Sequence, residues 1–90
     1  MKDFHPTIHD LKTLPAYYRQ VRDGRKRFEL RKNDRKFMVG DLLLLREWEP
    51  TEEQYSGCVT VAVITCVVTG EWLAPGYVAL GINLMEAHDA

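Results

Sequence analysis

Three charged residues after a glycine have the types and spacing that could bind an anion. Lys26, Glu29 and Arg31 follow Gly24 within eight positions. Glycine permits a sharp backbone turn, which would place Lys26 at the mouth of a cleft. Residues i and i+2 of a strand share a face, so Glu29 can pair with Arg31 and orient its guanidinium toward a phosphate or a base edge. The alternatives are a salt bridge that only closes a barrel and a lysine that is merely solvated.

Aromatic residues near cations are the second feature of the sequence that could bind a ligand. A single-stranded base stacks on an aromatic ring, and Trp48 beside Arg46 is the best candidate, followed by Tyr55 and Trp72. The alternative is that these rings belong to the core or to a lid. His9 has the right chemistry for a general acid or base, but it stands alone in the sequence.

The charges of the chain are divided unevenly along its length. The net charge is −1, but residues 1–40 hold 11 Lys and Arg against 5 Asp and Glu, and residues 41–90 hold 1 against 8. A basic field of this kind attracts phosphate. The alternative is that the basic surface meets the acidic one within the fold or in an oligomer.

One helix must position the motif. A helix over residues 15–23 is predicted, with Thr13 as its cap and Gly24 as its stop. Its apolar residues have the spacing i, i+3, i+4, i+7: Leu14, Tyr17, Tyr18 and Val21. We expect both tyrosines of this stripe to be packing residues.

Strands follow the helix, because the apolar period changes to two after Gly24. Phe28 and Leu30 are expected to face the core, with Glu29 and Arg31 on the opposite face. Further strands are predicted at residues 7–12, 42–48, 58–69 and 77–85, with a bend at Gly81. One helix and about five strands without βαβ alternation predict an α+β fold, a small and mostly antiparallel β-barrel with one N-terminal helix.

Length and composition exclude several classes of protein. Ninety residues allow a single domain over residues 1–90, and the longest apolar run, residues 57–70, is shorter than the roughly 20 residues that cross a bilayer. The first ten residues hold no apolar stretch typical of a secretory signal, so we expect a cytoplasmic protein. Cys58 and Cys66 cannot form a disulfide within an extended strand, which would separate them by roughly 26 Å. We therefore expect them to be buried free thiols. The histidines have no partners at metal-ligand spacing, so neither a metal site nor a cofactor is assigned.

Residues 24–31 have the form G-x-K-x-x-E-x-R, and in this the sequence resembles the ASCH family, whose fold is a PUA-like barrel. The resemblance continues at residues 9–12, 31–34, 39–41 and 44–48, and over essentially the whole chain the sequence is similar to small bacterial and phage proteins grouped as a domain of unknown function (DUF3850). It implies a cleft beside the helix that binds RNA or a modified nucleotide, and it places Lys12 near that cleft. The predicted nucleic-acid-binding residues are Lys12, Lys26, Glu29, Arg31, Arg46 and Trp48.

Two other functions stay open at this point. One branch of the ASCH family removes the acyl group of acetylcytidine with a lysine, a threonine and a glutamate. Lys26 matches that lysine, but Glu29 stands at the position of the threonine, and a carboxylate does not replace a hydroxyl nucleophile. If the protein is a nuclease, Lys26 and Glu29 are the candidate acid–base pair. The third hypothesis is a protein that binds a host protein and modulates it.

Overall fold

Six elements make up the fold in the computed structural model, which describes residues 5–89. In chain order they are β1 (Ile8–Thr13), α1 (Pro15–Arg22), β2 (Phe28–Lys32), β3 (Leu42–Glu49), β4 (Gln54–Val68) and β5 (Tyr77–His88). Residues 1–4, on which the expected lack of a secretory signal partly depends, lie outside the described residues, as does residue 90. The helix of the described part has eight residues, which is too short to span a bilayer.

The five strands form one curled sheet in the order β1-β3-β4-β5-β2. β1 pairs with β3 in parallel, whereas the other three pairings are antiparallel. The prediction of a mostly antiparallel α+β fold with five strands and one helix is confirmed. The barrel is open, however, because β1 and β2 are the two edges of the sheet and do not pair with each other.

The core lies between α1 and one face of this sheet. Every second residue of β1, β3, β4 and β5 points to that face, where apolar side chains cluster: Leu11, Leu43, Leu45, Ala62, Ile64, Val78, Leu80 and Ile82. The helix adds Val21 and the fully buried Tyr18, whose hydroxyl accepts a hydrogen bond from Thr60 Oγ1 at 3.1 Å. Burial raises the pKa of Tyr18, and the bond from Thr60 offsets only part of this effect.

The ends of α1 match the prediction in part. The helix ends at Arg22, and Gly24 follows with φ +79° while its N–H donates to Val21 O at 3.0 Å. The expected cap was wrong, because Thr13 is the last residue of β1 and Leu14 precedes the helix without a side-chain cap. Pro15 needs no N–H partner at the first helical position, so the helix can begin without one.

The long antiparallel pair β4–β5 differs in detail from the prediction. β4 begins at Gln54, four residues before the predicted start at residue 58, so it includes Tyr55. The expected bend at Gly81 is present as a register shift in the facing strand, where a Cβ on Gly81 would lie 3.1 Å from Cys66 Cβ. The predicted burial of the thiols was wrong, since Cys66 is exposed on this bulged strand and Cys58 is half-buried.

The predicted orientation of β2 was also wrong. Phe28 and Leu30 are 48% and 55% exposed, whereas Glu29 is buried. An edge strand can turn a charged face inward only if its charges are neutralised there. Contacts of Glu29 with Lys26 and Arg31 provide this neutralisation.

Candidate functional site

Glu29 is the centre of a buried ionic cluster, which consists of Lys26, Glu29 and Arg31. One carboxylate oxygen accepts from Lys26 Nζ, and the other accepts from Arg31 Nε and Nη2 at 3.1 and 2.8 Å. The side chains of Glu29, Lys26 and Arg31 are 3%, 12% and 22% exposed. Because two cations surround one carboxylate, the ionic cluster has a net charge of +1.

The ionic cluster also joins the two edges of the sheet. Arg31 Nη1 donates to Lys12 O at 2.9 Å, and Nη2 donates to Thr13 Oγ1 at 3.2 Å, so a guanidinium of β2 reaches across to β1. Lys26 Nζ donates to Phe28 O at 2.8 Å. The side chains therefore satisfy backbone carbonyls that a closed barrel would pair between strands. The ionic cluster thus has the structural role that the sequence left open.

A cleft of about 520 Å³ lies between the start of α1, the end of β1 and the strand β2. It is lined by Lys12, Thr13, Leu14, Tyr17, Gln20, Lys26, Phe28, Glu29, Leu30 and Arg31. Most of the exposed lining is apolar, and the polar part comes from the ionic cluster, Lys12, Thr13 and Gln20. A cavity of this size with apolar walls and a few charged groups is typical of a small-molecule site.

The structure brings together four of the six predicted binding residues. Lys12 and the three residues of the ionic cluster line the cleft. Arg46 and Trp48 do not line it. They lie on the sheet face opposite the core, where Arg46 is the register partner of Lys12.

Arg46 and Trp48 belong to a row of stacked cations and rings on that face. Lys12 Nζ lies 3.9 Å from the centroid of the Trp48 ring, and Trp48 packs edge-on against Tyr55 at 4.9 Å. The Arg46 guanidinium lies 3.8 Å from the Tyr55 centroid and donates to Asp10 at 3.2 Å. A base that stacked on the covered face of Trp48 would have to displace the Lys12 ammonium.

Two tyrosines of the helix stripe have different environments, which the sequence did not distinguish. Tyr18 is buried as expected, but Tyr17 is 53% exposed and lines the cleft, as does Leu14. Thr13 and Gln20 were also missed as lining residues. The apolar stripe predicted the helix correctly. Tyr18 and Val21 of this stripe pack on the sheet, whereas Leu14 and Tyr17 form part of the cleft wall.

His9 lies in a separate buried pair and does not line the cleft. Its Nε2 donates to Asp41 Oδ2 at 2.8 Å, and its ring packs on Phe37 with centroids 4.7 Å apart. Burial works to raise the pKa of Asp41, but the bonds from His9 and from the N–H groups of Thr7 and Met38 outweigh burial and lower it. The pair links the start of β1 to the turn before β3, which indicates a structural role.

Fold and site define a small α+β protein in which an open curled sheet carries a ligand-sized cleft beside a buried ionic cluster. The chain belongs to the family described as a domain of unknown function (DUF3850), whose profile matches residues 8–82. It is 39% identical over 67 residues to a protein of Escherichia phage P2 described as an uncharacterized 12.9 kDa protein in the GpA 3' region. That match covers 73% of this chain and 60% of the phage protein.

Proposed function

We propose that the cleft binds a nucleotide unit of RNA or a modified nucleotide. The observation that carries this proposal is the pairing of an exposed aromatic wall, Tyr17 and Phe28, with cations at one cleft. A nucleotide has the same two parts, a flat base that stacks on rings and an anionic phosphate. The cleft volume of about 520 Å³ suits a ligand of this size.

Lys12 is the cation best placed to contact a phosphate. Its side chain lines the cleft, is exposed and makes no ion pair with a carboxylate of the described residues. Its ammonium lies on the Trp48 ring, 3.9 Å from the centroid, and would leave this ring to contact a phosphate. Lys26 and Arg31 already donate to Glu29, so they add positive potential and leave fewer free donors. Arg25 and Arg27 stand next to the lining residue Lys26 in the chain and add positive charge beside the cleft.

The resemblance of residues 24–31 to the ASCH signature supports the same choice. ASCH and PUA-like domains are associated with RNA, and the cleft beside α1 lies where the resemblance implies a ligand. An assignment to the PUA-like barrels is part of this proposal. The sheet is open between β1 and β2, and Arg31 bridges this gap by a hydrogen bond to β1. Such a sheet is compatible with a PUA-like barrel.

Hydrolysis has less support than binding. Both oxygens of Glu29 already accept hydrogen bonds from the cations, and the hydroxyl of Thr13 accepts from Arg31 and donates to Leu11 O. A hydroxyl nucleophile needs a base that accepts its proton, and among residues 5–89 no such contact is made by Thr13. Incubation of the protein with acetylcytidine and with short RNAs, followed by mass spectrometry, tests this directly, and turnover would establish an enzyme.

The binding proposal is tested with Lys12→Ala and Tyr17→Ala, measured by fluorescence anisotropy of a labelled single-stranded RNA at several salt concentrations. Tyr17→Ala should weaken binding about tenfold through the lost stacking. Lys12→Ala should weaken binding and reduce the slope of log affinity against log salt by about 0.7.

The controls are Lys36→Ala and Met85→Ala, which remove an exposed cation and an exposed apolar side chain outside the cleft. Both should bind within about twofold of the natural protein, as expected for surface substitutions. Equal binding by all four variants would remove the cleft from the function, and a natural protein that binds no RNA or nucleotide would overturn the proposal.

A further inference from the structure

An exposed strip of side chains covers the outer face of β2 and β5. Phe28, Leu30 and Lys32 of β2 lie on this face, because the intervening Glu29 points inward. Tyr77 is the register partner of Lys32, and it is exposed. Trp72 is 88% exposed and lies five residues before Tyr77, in the loop that joins β4 to β5 at this end of the face. We call these five residues the aromatic strip.

The strip begins at the cleft. Phe28 and Leu30 line the cleft as well as the outer face, since β2 is an edge strand with no further strand beyond it. Lys26 Nζ lies 4.9 Å from the Phe28 centroid, which connects this ring to the ionic cluster. From Phe28 to Lys32 the strand advances by roughly 13 Å. A ligand in the cleft can therefore continue along the strip without crossing another element.

Small residues keep the strip open between its rings. Ala79 pairs with Leu30, and Gly81 pairs with Phe28, so the neighbouring positions of β5 have almost no side chain. Flat groups can therefore lie against the sheet between Phe28 and Tyr77. An arrangement of exposed rings on a sheet surface suits successive bases of a single strand.

Charge favours a polyanion on this face. Lys32 stands on this face, Arg27 and Arg31 flank Phe28 and Leu30 in the chain, and the carboxylate of this segment, Glu29, is already neutralised. Lys32, directly beside Tyr77, makes no ion pair among the described residues. Trp48, by contrast, is followed in the chain by an acidic segment that runs into the loop between β3 and β4 and holds Glu49, Glu52 and Glu53. A phosphate chain is attracted to the strip and repelled from that acidic loop.

We infer that the aromatic strip extends the binding surface of the cleft, and that the ligand is a single-stranded RNA segment of several nucleotides. This inference rests on the proposed function. The cleft holds one nucleotide unit, the bases that follow stack on Tyr77 and Trp72, and Lys32 contacts a phosphate between them. A protein segment would bury the apolar rings but would gain nothing from the unpaired lysine unless it were acidic.

The experiment compares a mononucleotide with a single-stranded RNA of about eight nucleotides, a length within the usual range for such surfaces. The natural protein should bind the longer RNA at least tenfold more tightly. Tyr77→Ala and Trp72→Ala should each weaken the longer RNA about tenfold and leave the mononucleotide unchanged. Lys32→Ala should reduce the salt slope for the longer RNA by about 0.7.

Two further variants make the result specific. Tyr77→Phe keeps the ring and should bind as the natural protein does. Met85→Ala removes an exposed apolar residue at the other end of β5 and should have no effect. Trp72 is almost fully exposed, so its replacement leaves the packing of the core intact.

The outcomes separate this inference from the proposed function. If the mononucleotide binds but the longer RNA binds no tighter, and Tyr77→Ala and Trp72→Ala change nothing, the strip is not an RNA surface while the cleft remains a nucleotide site. The strip would then be assigned to a protein partner. If neither RNA nor mononucleotide binds, the proposed function fails and this inference fails with it.

Discussion

Replacement of Glu29 by glutamine should destabilise the protein by about 2–3 kcal/mol. The carboxylate accepts three charge-assisted hydrogen bonds, two from Arg31 and one from Lys26. The amide oxygen of glutamine can replace only one of the carboxylate oxygens, and its NH2 group would face the other cation donor to donor. Because both cations are largely buried, neither can recover full hydration.

Urea unfolding followed by circular dichroism measures this free energy directly. Asp34→Asn is the matched control, since it removes a carboxylate that pairs with Arg35 on the exposed surface. That control should change the free energy of unfolding by less than about 0.5 kcal/mol. If Glu29→Gln were no more destabilising than Asp34→Asn, the ionic cluster would not hold the edges of the sheet together and the structural argument would be refuted.

Three further predictions concern the fold. The free energy of unfolding should fall as pH drops below about 4, because the lowered pKa of Asp41 means that the unfolded state binds more protons than the folded state in this range. Urea titrations at several pH values should show a smaller decrease for Asp41→Asn than for the natural protein. Gly81→Ala should cost about 1–2 kcal/mol in thermal or urea unfolding, since its Cβ would lie 3.1 Å from Cys66 Cβ. Tyr18→Phe should cost about 1 kcal/mol, because Thr60 loses its buried acceptor, and an unchanged midpoint would contradict this.

Local sequence patterns were sufficient for the order of the helix and strands and for one pair of the ionic cluster, Glu29 with Arg31. The i, i+2 spacing of Glu29 and Arg31 predicted their pairing, and Gly24 predicted the end of the helix. The contact of Lys26 with Glu29 was not predicted, because the alternating pattern places the two residues on opposite strand faces. An alternating pattern separates a strand into two faces, but it does not say which of them is buried. The rule that apolar residues face the core failed at β2, because the cations of the ionic cluster compensate the buried carboxylate.

The rest of the site depends on pairings between distant segments. Arg31 finds its acceptors on Lys12 and Thr13 only because β1 and β2 are opposite edges of one sheet. The position of Arg46 beside Lys12 follows from the parallel register of β1 with β3, and the side chain of Lys12 lies between the cleft and Trp48. No local pattern in the sequence contains these registers.

The Arg31 guanidinium joins the edge strands β1 and β2 by side-chain hydrogen bonds, and this has a consequence for local stability. Within residues 5–89 no ladder of backbone hydrogen bonds joins β1 to β2, so these two edges can separate without breaking a strand pairing. Amide protons of β2 should therefore exchange with deuterium sooner than those of β3 and β4, which are paired on both sides. Slow exchange along β2 would show instead that the ionic cluster holds the two edges together as firmly as strand pairing does.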